Sequence, residues 1–251
     1  MWYMGSKNKL AKEIVPIIQS YITDETKGYL EPFVGGGNVI DKIKCNNKIG
    51  CDIHEELIEL LKYAQINYNK LPETISKEEY EQVKANKDKY PKWYVGLVGF
   101  CSGYNGKYFG GYANNVVTKI GTIRNYTDEA IRNLKKQAPN LKNINFYNCD
   151  FRDLPKDKIK GYVIYCDIPY KGTTKYKADK FPYEEFYQWC KDMAKDNIVL
   201  ISEYNMPKVF RVIWEKEVKT SLNCNRKAED ESNKRVERLF IYDAESGYIE
   251  E

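Results

Sequence analysis

Asp167, Ile168, Pro169 and Tyr170 follow one another directly after the β-prone run GYVIY at 161–165. They place a carboxylate, a backbone carbonyl before a proline and an aromatic ring in series. The Asp167 carboxylate and the Ile168 carbonyl make two adjacent acceptors, and the Tyr170 ring offers a flat face for a planar group. Such a set suits an exocyclic amine on a base. The same residues also describe a plain strand end, because proline cannot donate to a ladder and pushes its predecessor to extended geometry. The tetrapeptide alone leaves both readings open.

A second constellation lies near the amino terminus. In EPFVGGGNV, Gly35, Gly36 and Gly37 sit where a strand turns toward the next element, and glycines there let a backbone approach a ligand closely. The bland alternative is a tight turn. Asp52 ends the following strand, spaced as expected for an acid that accepts from both hydroxyls of a ribose. It equally suits a helix cap, since DIHEEL places an acid before a helix and glutamates in its first turn. His54, the single histidine, has no partner motif and reads as a surface residue or a helix start.

The elements that must position these residues alternate. Apolar residues at helical spacing predict a helix over 6–22, kinked or split at Pro16. A short strand then leads into the glycine turn and a helix. A strand at 48–53 and a helix over HEELIELLKYAQINY follow. The βα series resumes with strands at 144–150 and 161–167, a helix near 183–195 and a strand at 197–204. Strands at 209–218 and 236–244 close it, separated by a charged loop at 221–235. This is the order of an α/β, doubly wound parallel sheet. Residues 67–139 break the pattern and read as an insertion, with a mostly solvated helix in ISKEEYEQVKANKDKY and a turn-rich stretch, GFCSGYNGKYFGGYANN. The expected division is therefore a discontinuous domain of residues 1–66 and 140–251 with an inserted subdomain at 67–139.

The 251 residues, 42% of them hydrophobic, suffice for one large core or a core plus an insertion. Seven cysteines, an odd number without C-x-x-C spacing, and one histidine argue for a reducing cytoplasm and against structural zinc. No stretch approaches the roughly 18 consecutive apolar residues of a membrane span. A net charge of +4 is compatible with a polyanionic partner without indicating one.

Taken in order, the motifs resemble the Dam-like, D12 class N6-adenine DNA methyltransferases along essentially the whole chain. YMGSK (Tyr3 to Lys7) is similar to that family's amino-terminal cofactor motif, and EPFVGGG to its F-x-G-x-G loop, with Glu31 where aspartate is more usual. Asp52 matches its ribose-binding acid and NCDFRDL its motif beside the cofactor adenine. DIPY resembles its catalytic D-P-P-Y, and SEYNMP (202–207) the segment closing the target-base pocket. The resemblance implies a Rossmann-like sheet that binds S-adenosyl-L-methionine and a mainly helical inserted DNA-recognition subdomain with a hairpin. It implies cofactor contacts from Tyr3, Lys7, Phe33, Gly35, Gly37, Asp52, Asp150, Phe151 and Asp167, and a catalytic group of Asp167, Ile168, Pro169 and Tyr170. Tyr104, Asn105, Lys107, Asn115, Lys119 and Arg124 are the expected contacts to double-stranded DNA, with amides and bases suited to base edges and phosphates. No metal is expected. The implied protein is a monomer or weak dimer in the cytoplasm of a bacterium or a phage-infected host. Ile168 departs from the family's first proline: the carbonyl is kept, the fixed φ is lost. Methylation of an amine in RNA or protein, or a catalytically weakened DNA-binding protein of the same fold, are the alternatives.

Overall fold

The computed structural model describes residues 1–117, 120–170, 181–219 and 234–242. In chain order the elements are α1 (Ala11–Ser20), β1 (Gly28–Glu31), β2 (Lys48–Asp52), α2 (Glu55–Asn67), α3 (Lys77–Ala85), α4 (Lys92–Cys101), β3 (Val116–Val117) and β4 (Ile123–Arg124). They continue with α5 (Tyr126–Leu141), β5 (Ile144–Asn148), β6 (Tyr162–Asp167), α6 (Tyr183–Met193), β7 (Ile198–Glu203), β8 (Phe210–Lys219) and β9 (Lys234–Tyr242). The protein is mixed α/β with a seven-stranded, mostly parallel sheet, which fits the Rossmann-like class expected from the sequence. Two compact units are distinguished, Met1–Val15 with Pro32–Leu154, and Pro16–Glu31 with Pro155–Glu251. Residues 67–139 lie within the first. They hold α3, α4, the β3–β4 hairpin and most of α5.

In the first unit β2 pairs in parallel with β5, Asp52 opposite Asn148. Helix α2 buries Leu57, Ile58, Leu60, Leu61 and Ala64. Helix α4 approaches it backbone to backbone: a Cβ at Gly96 would lie 2.1 Å from the Glu56 carbonyl oxygen, so only glycine fits. Helix α3, expected to be mostly solvated, buries Tyr80 and Val83. Helix α5 was not expected. Its charged surface and the internal Pro139 obscure a buried stripe of Thr127, Ala130, Ile131, Leu134, Gln137, Ala138 and Leu141. Asn125 caps it, its side chain accepting from the Asp128 N–H at 3.1 Å. Truncating a stripe residue such as Leu134 to Ala would cost about 2–5 kcal/mol.

The helix expected after the glycine turn is absent. Only a single 3-10 turn, Ile40–Lys42, precedes β2. The ten residues between Gly37 and Lys48 leave no room for a full crossover helix and its return. Lysine side chains replace some of the missing helical bonds: buried Lys48 donates from Nζ to the carbonyls of Ile40 (3.2 Å) and Ile43 (3.3 Å), and Lys42 to that of Asn38 (2.7 Å). At the amino terminus the expected helix is likewise shorter. Lys7–Lys9 form a separate 3-10 turn, and Pro16 lies inside α1.

The second unit carries β1, β6 and β7 in parallel, Leu30 opposite Ile164 and Asp167 opposite Ser202. Antiparallel β9 joins β7 to β8, with a register shift between Val212 and Trp214. The buried run Val163–Cys166 marks β6 as a strand covered on both faces. Among the described residues no helix is long and apolar enough to cross a membrane.

Candidate active site

In the first unit the glycine loop is tied to the end of β2. Gly35 (φ +48°) and Gly37 (φ +66°) adopt left-handed backbone conformations that favour glycine. The Gly35 N–H donates to Asp52 Oδ2 at 3.1 Å, and the His54 N–H donates to Oδ1 at 2.9 Å. Asp52 therefore binds the N–H of His54, the residue that precedes α2, and holds the loop at once. A carboxylate offers about four acceptor positions, and Asp52 is half-exposed. Tyr3 lies over the loop: a Cβ at Gly35 would stand 2.9 Å from its Cε1, and one at Gly36 2.9 Å from its Cβ. His54 packs its ring on Phe100 and Tyr108, centroids 5.0 and 4.3 Å away.

Asp150 follows the end of β5, where the Asn148 amide donates to the Asp52 carbonyl at 2.9 Å and the Cys149 N–H does so at 3.2 Å. The Asp150 carboxylate accepts from the Arg152 N–H and, through both oxygens, from its guanidinium, all at 2.9 Å. That guanidinium holds the Asp150 carboxyl below the usual range. The buried Phe151 ring meets Phe33 at 5.5 Å and 41°. Tyr3, Gly35 and Asp52 are thus linked contact by contact, and Phe33 and Phe151 form a ring pair next to Asp150 in the chain. Lys7 is buried in its 3-10 turn.

In the second unit Asp167 is the last residue of β6 and is half-exposed, and the Ile168 side chain is buried. The Pro169 carbonyl accepts from the Tyr183 hydroxyl at 2.8 Å. Tyr170 is less open than a flat stacking face requires. It is buried, its hydroxyl donates to Glu237 Oε2 at 2.7 Å, and its ring meets Tyr204 edge-on at 4.6 Å and 80°. Burial first, then the charges of Asp167 and Glu237, push its hydroxyl pKa well up. Arg238 donates to the Tyr204 carbonyl and to Asn205 Oδ1 (3.0 Å), bracing the SEYN segment. Glu237, Arg238 and Tyr183 escaped the sequence reading. Glu237 lies 67 residues from Tyr170 and reaches it only because β9 joins the sheet.

The expected DNA contacts are spread over the first unit. Tyr104, Asn105, Lys107 and Asn115 are exposed. Asn105 has φ +54°, a conformation asparagine tolerates better than most residues. The adjacent Gly106 packs against the chain at Trp2 and Tyr3, where a Cβ would lie 2.8 Å from the Tyr3 nitrogen. Arg124 is exposed and already engaged, with Glu129 in a bidentate pair (2.6 and 2.7 Å) and over the Tyr126 ring at 4.8 Å. Beside it Val116, Val117, Ile120 and Ile123 expose apolar surface. Lys119 lies outside the described residues.

Residues 3–94 match the model of the D12 class N6 adenine-specific DNA methyltransferases. That range holds the YMGSK motif, the glycine loop and Asp52, while DIPY lies beyond it. Over 191 residues the chain is 26% identical to the type II methyltransferase M.FokI of Planomicrobium okeanokoites, covering 68% of this chain and 29% of that protein. The chain thus spans less than a third of the length of that relative. The resemblance read from the motifs is borne out by a match to the D12 class over residues 3–94 and by this distant likeness to M.FokI.

Proposed function

We propose that the protein transfers a methyl group from S-adenosyl-L-methionine to N6 of adenine at a short specific site in double-stranded DNA. The observation that carries this is the bond between Asp52 and Gly35 within the matched range, which sets an acid and a glycine loop together at the carboxyl end of β2. The residues fit the cofactor: a half-exposed carboxylate suits ribose hydroxyls, and the paired rings of Phe33 and Phe151 suit an adenine edge. Tyr3, Lys7, Gly35, Gly37, Asp150 and Asp167 complete the proposed contacts. When bound, the cofactor supplies a methyl group on a positively charged sulfur, open to direct in-line attack.

The chain's own part is to prepare the amine. Adenine N6 is a poor nucleophile because its lone pair is delocalised into the ring. Asp167 and the Ile168 carbonyl accept its two hydrogens, localise that pair and favour the positive charge that develops on nitrogen. Pro169 keeps the preceding carbonyl in extended geometry. Extruding the base costs a few kcal/mol. Stacking on Tyr170 returns roughly 1–3 kcal/mol of it, once the neighbours that now cover the ring move aside. Tyr104, Asn105, Lys107, Asn115, Lys119 and Arg124 are the proposed DNA contacts, Arg124 by exchanging Glu129 for a phosphate. Incubation with tritiated S-adenosyl-L-methionine tests the reading: label should enter duplex DNA. Label in RNA or protein instead moves the substrate class, and no label in any of them supports a weakened binding protein.

A further inference from the structure

We infer that Gln137, on α5, is a positioning residue for the glycine loop, holding the carbonyls of Gly36 and Gly37 so that the loop keeps the shape a nucleoside-bearing cofactor meets. The inference rests on the proposed use of that loop as the S-adenosyl-L-methionine site.

Gln137 is a polar side chain in the mostly apolar buried stripe of α5. Burying an amide without partners is costly, and this one is fully engaged. Its Nε2 donates to the Gly36 and Gly37 carbonyls, both at 3.0 Å. Carbonyl oxygens only accept, so the amide nitrogen must face them, which fixes the amide's orientation. Its Oε1 then accepts from the Met1 amino group, which also donates to Asn38 Oδ1 at 3.2 Å.

The loop needs such a clamp. Three consecutive glycines carry the largest backbone entropy to be lost on ordering, and a 3-10 turn rather than an α-helix follows to bind their carbonyls, the Asp41 N–H reaching that of Gly37 at 3.3 Å. Asp52 ties the loop through the Gly35 N–H. Gln137 ties it through the next two carbonyls, and one turn on, Leu141 Cδ2 stands 3.6 Å from where a Gly37 Cβ would be. The loop is pinned by an acid at its first glycine and an amide at its second and third.

Gln137→Met keeps the length and removes the donor. Without any ligand, hydrogen exchange of the amides of residues 34–41 should quicken about tenfold while those of α6 stay as in the wild type. Calorimetry should show S-adenosylhomocysteine binding about tenfold weaker, and methylation kinetics a raised cofactor KM with kcat at saturation within twofold. Gln137→Glu, which also lacks the donor at neutral pH, should give the same split if the methionine variant folds poorly. Unchanged exchange with unchanged affinity would overturn the inference, and so would a loss of protection and affinity spread evenly over the chain, which would make Gln137 ordinary packing. Wild-type protein that binds no S-adenosylhomocysteine would instead bring down the cofactor reading, and with it the purpose assigned to Gln137.

Discussion

Replacing Asp52 by Ala separates its two duties. The carboxylate accepts from Gly35 at 3.1 Å and from His54 at 2.9 Å, and its loss frees both N–H groups. The residue is half-exposed, so water takes over part of that bonding, and the stability cost should resemble a lost helix cap, about 0.5–2 kcal/mol. For a chain of this size about 1 kcal/mol lowers Tm by roughly 2–4 °C. The proposed ribose contact is worth more, because a hydrogen bond to a charged group contributes about 1.5–3 kcal/mol, or roughly 10–150-fold in affinity. Calorimetry with S-adenosylhomocysteine, beside a thermal melt, reads both. Asp52→Asn keeps an acceptor for the His54 N–H and should recover most of the stability but little of the affinity. A Tm that falls while affinity stays within twofold of the wild type would remove Asp52 from the ribose role and leave it a tie between the loop and the entry to α2.

Ile168→Pro should leave S-adenosylhomocysteine affinity alone and preserve or raise the single-turnover rate, while lowering Tm because a buried side chain is exchanged for a smaller one; lost activity in a folded variant would mean that the isoleucine amide or side chain is engaged. Lys107→Ala should weaken all DNA sequences alike and flatten the salt dependence by about 0.9, and an unchanged slope would leave Lys107 facing solvent. Asp150, held low by Arg152, should titrate below its ordinary value of 3.8 in a carboxyl-resolved pH titration, and Arg152→Ala should raise it toward that value. Because its folded pKa is depressed, its contribution to stability is present above the unfolded pKa and fades as pH falls through the folded one; a pKa that Arg152→Ala leaves in place would show that the pairing does not form in solution.

The parallel strands were legible because each is a short apolar run followed by a polar end, and the ends are where Asp52, Asp150 and Asp167 stand. What stayed hidden was what long-range pairing creates. Glu237 carries no local sign that it will meet Tyr170, and Arg238 none that it will brace Tyr204. Helix α5 was masked by its lysines and by Pro139, so Gln137 went unnoticed as a partner for the glycine carbonyls. The helix expected after Gly37 failed for a different reason: too few residues precede β2, and lysine side chains bind the carbonyls that helical N–H groups would have taken. Arg124 looked like an available base from its neighbours in sequence, whereas Glu129, one helical turn into α5, already holds it.

Asp167 is proposed to prepare an adenine amine for methyl transfer. Duplex DNA incubated with S-adenosyl-L-methionine and enzyme, digested to nucleosides and analysed by mass spectrometry, tests it most directly. N6-methyl-2′-deoxyadenosine should accumulate with wild-type protein and fall below detection with Asp167→Ala, while that variant keeps most of its affinity for S-adenosylhomocysteine. Near-normal accumulation with Asp167→Ala would remove Asp167 from the catalytic role, and a methylated nucleoside other than N6-methyl-2′-deoxyadenosine with the wild type would rule out transfer to adenine N6 of DNA.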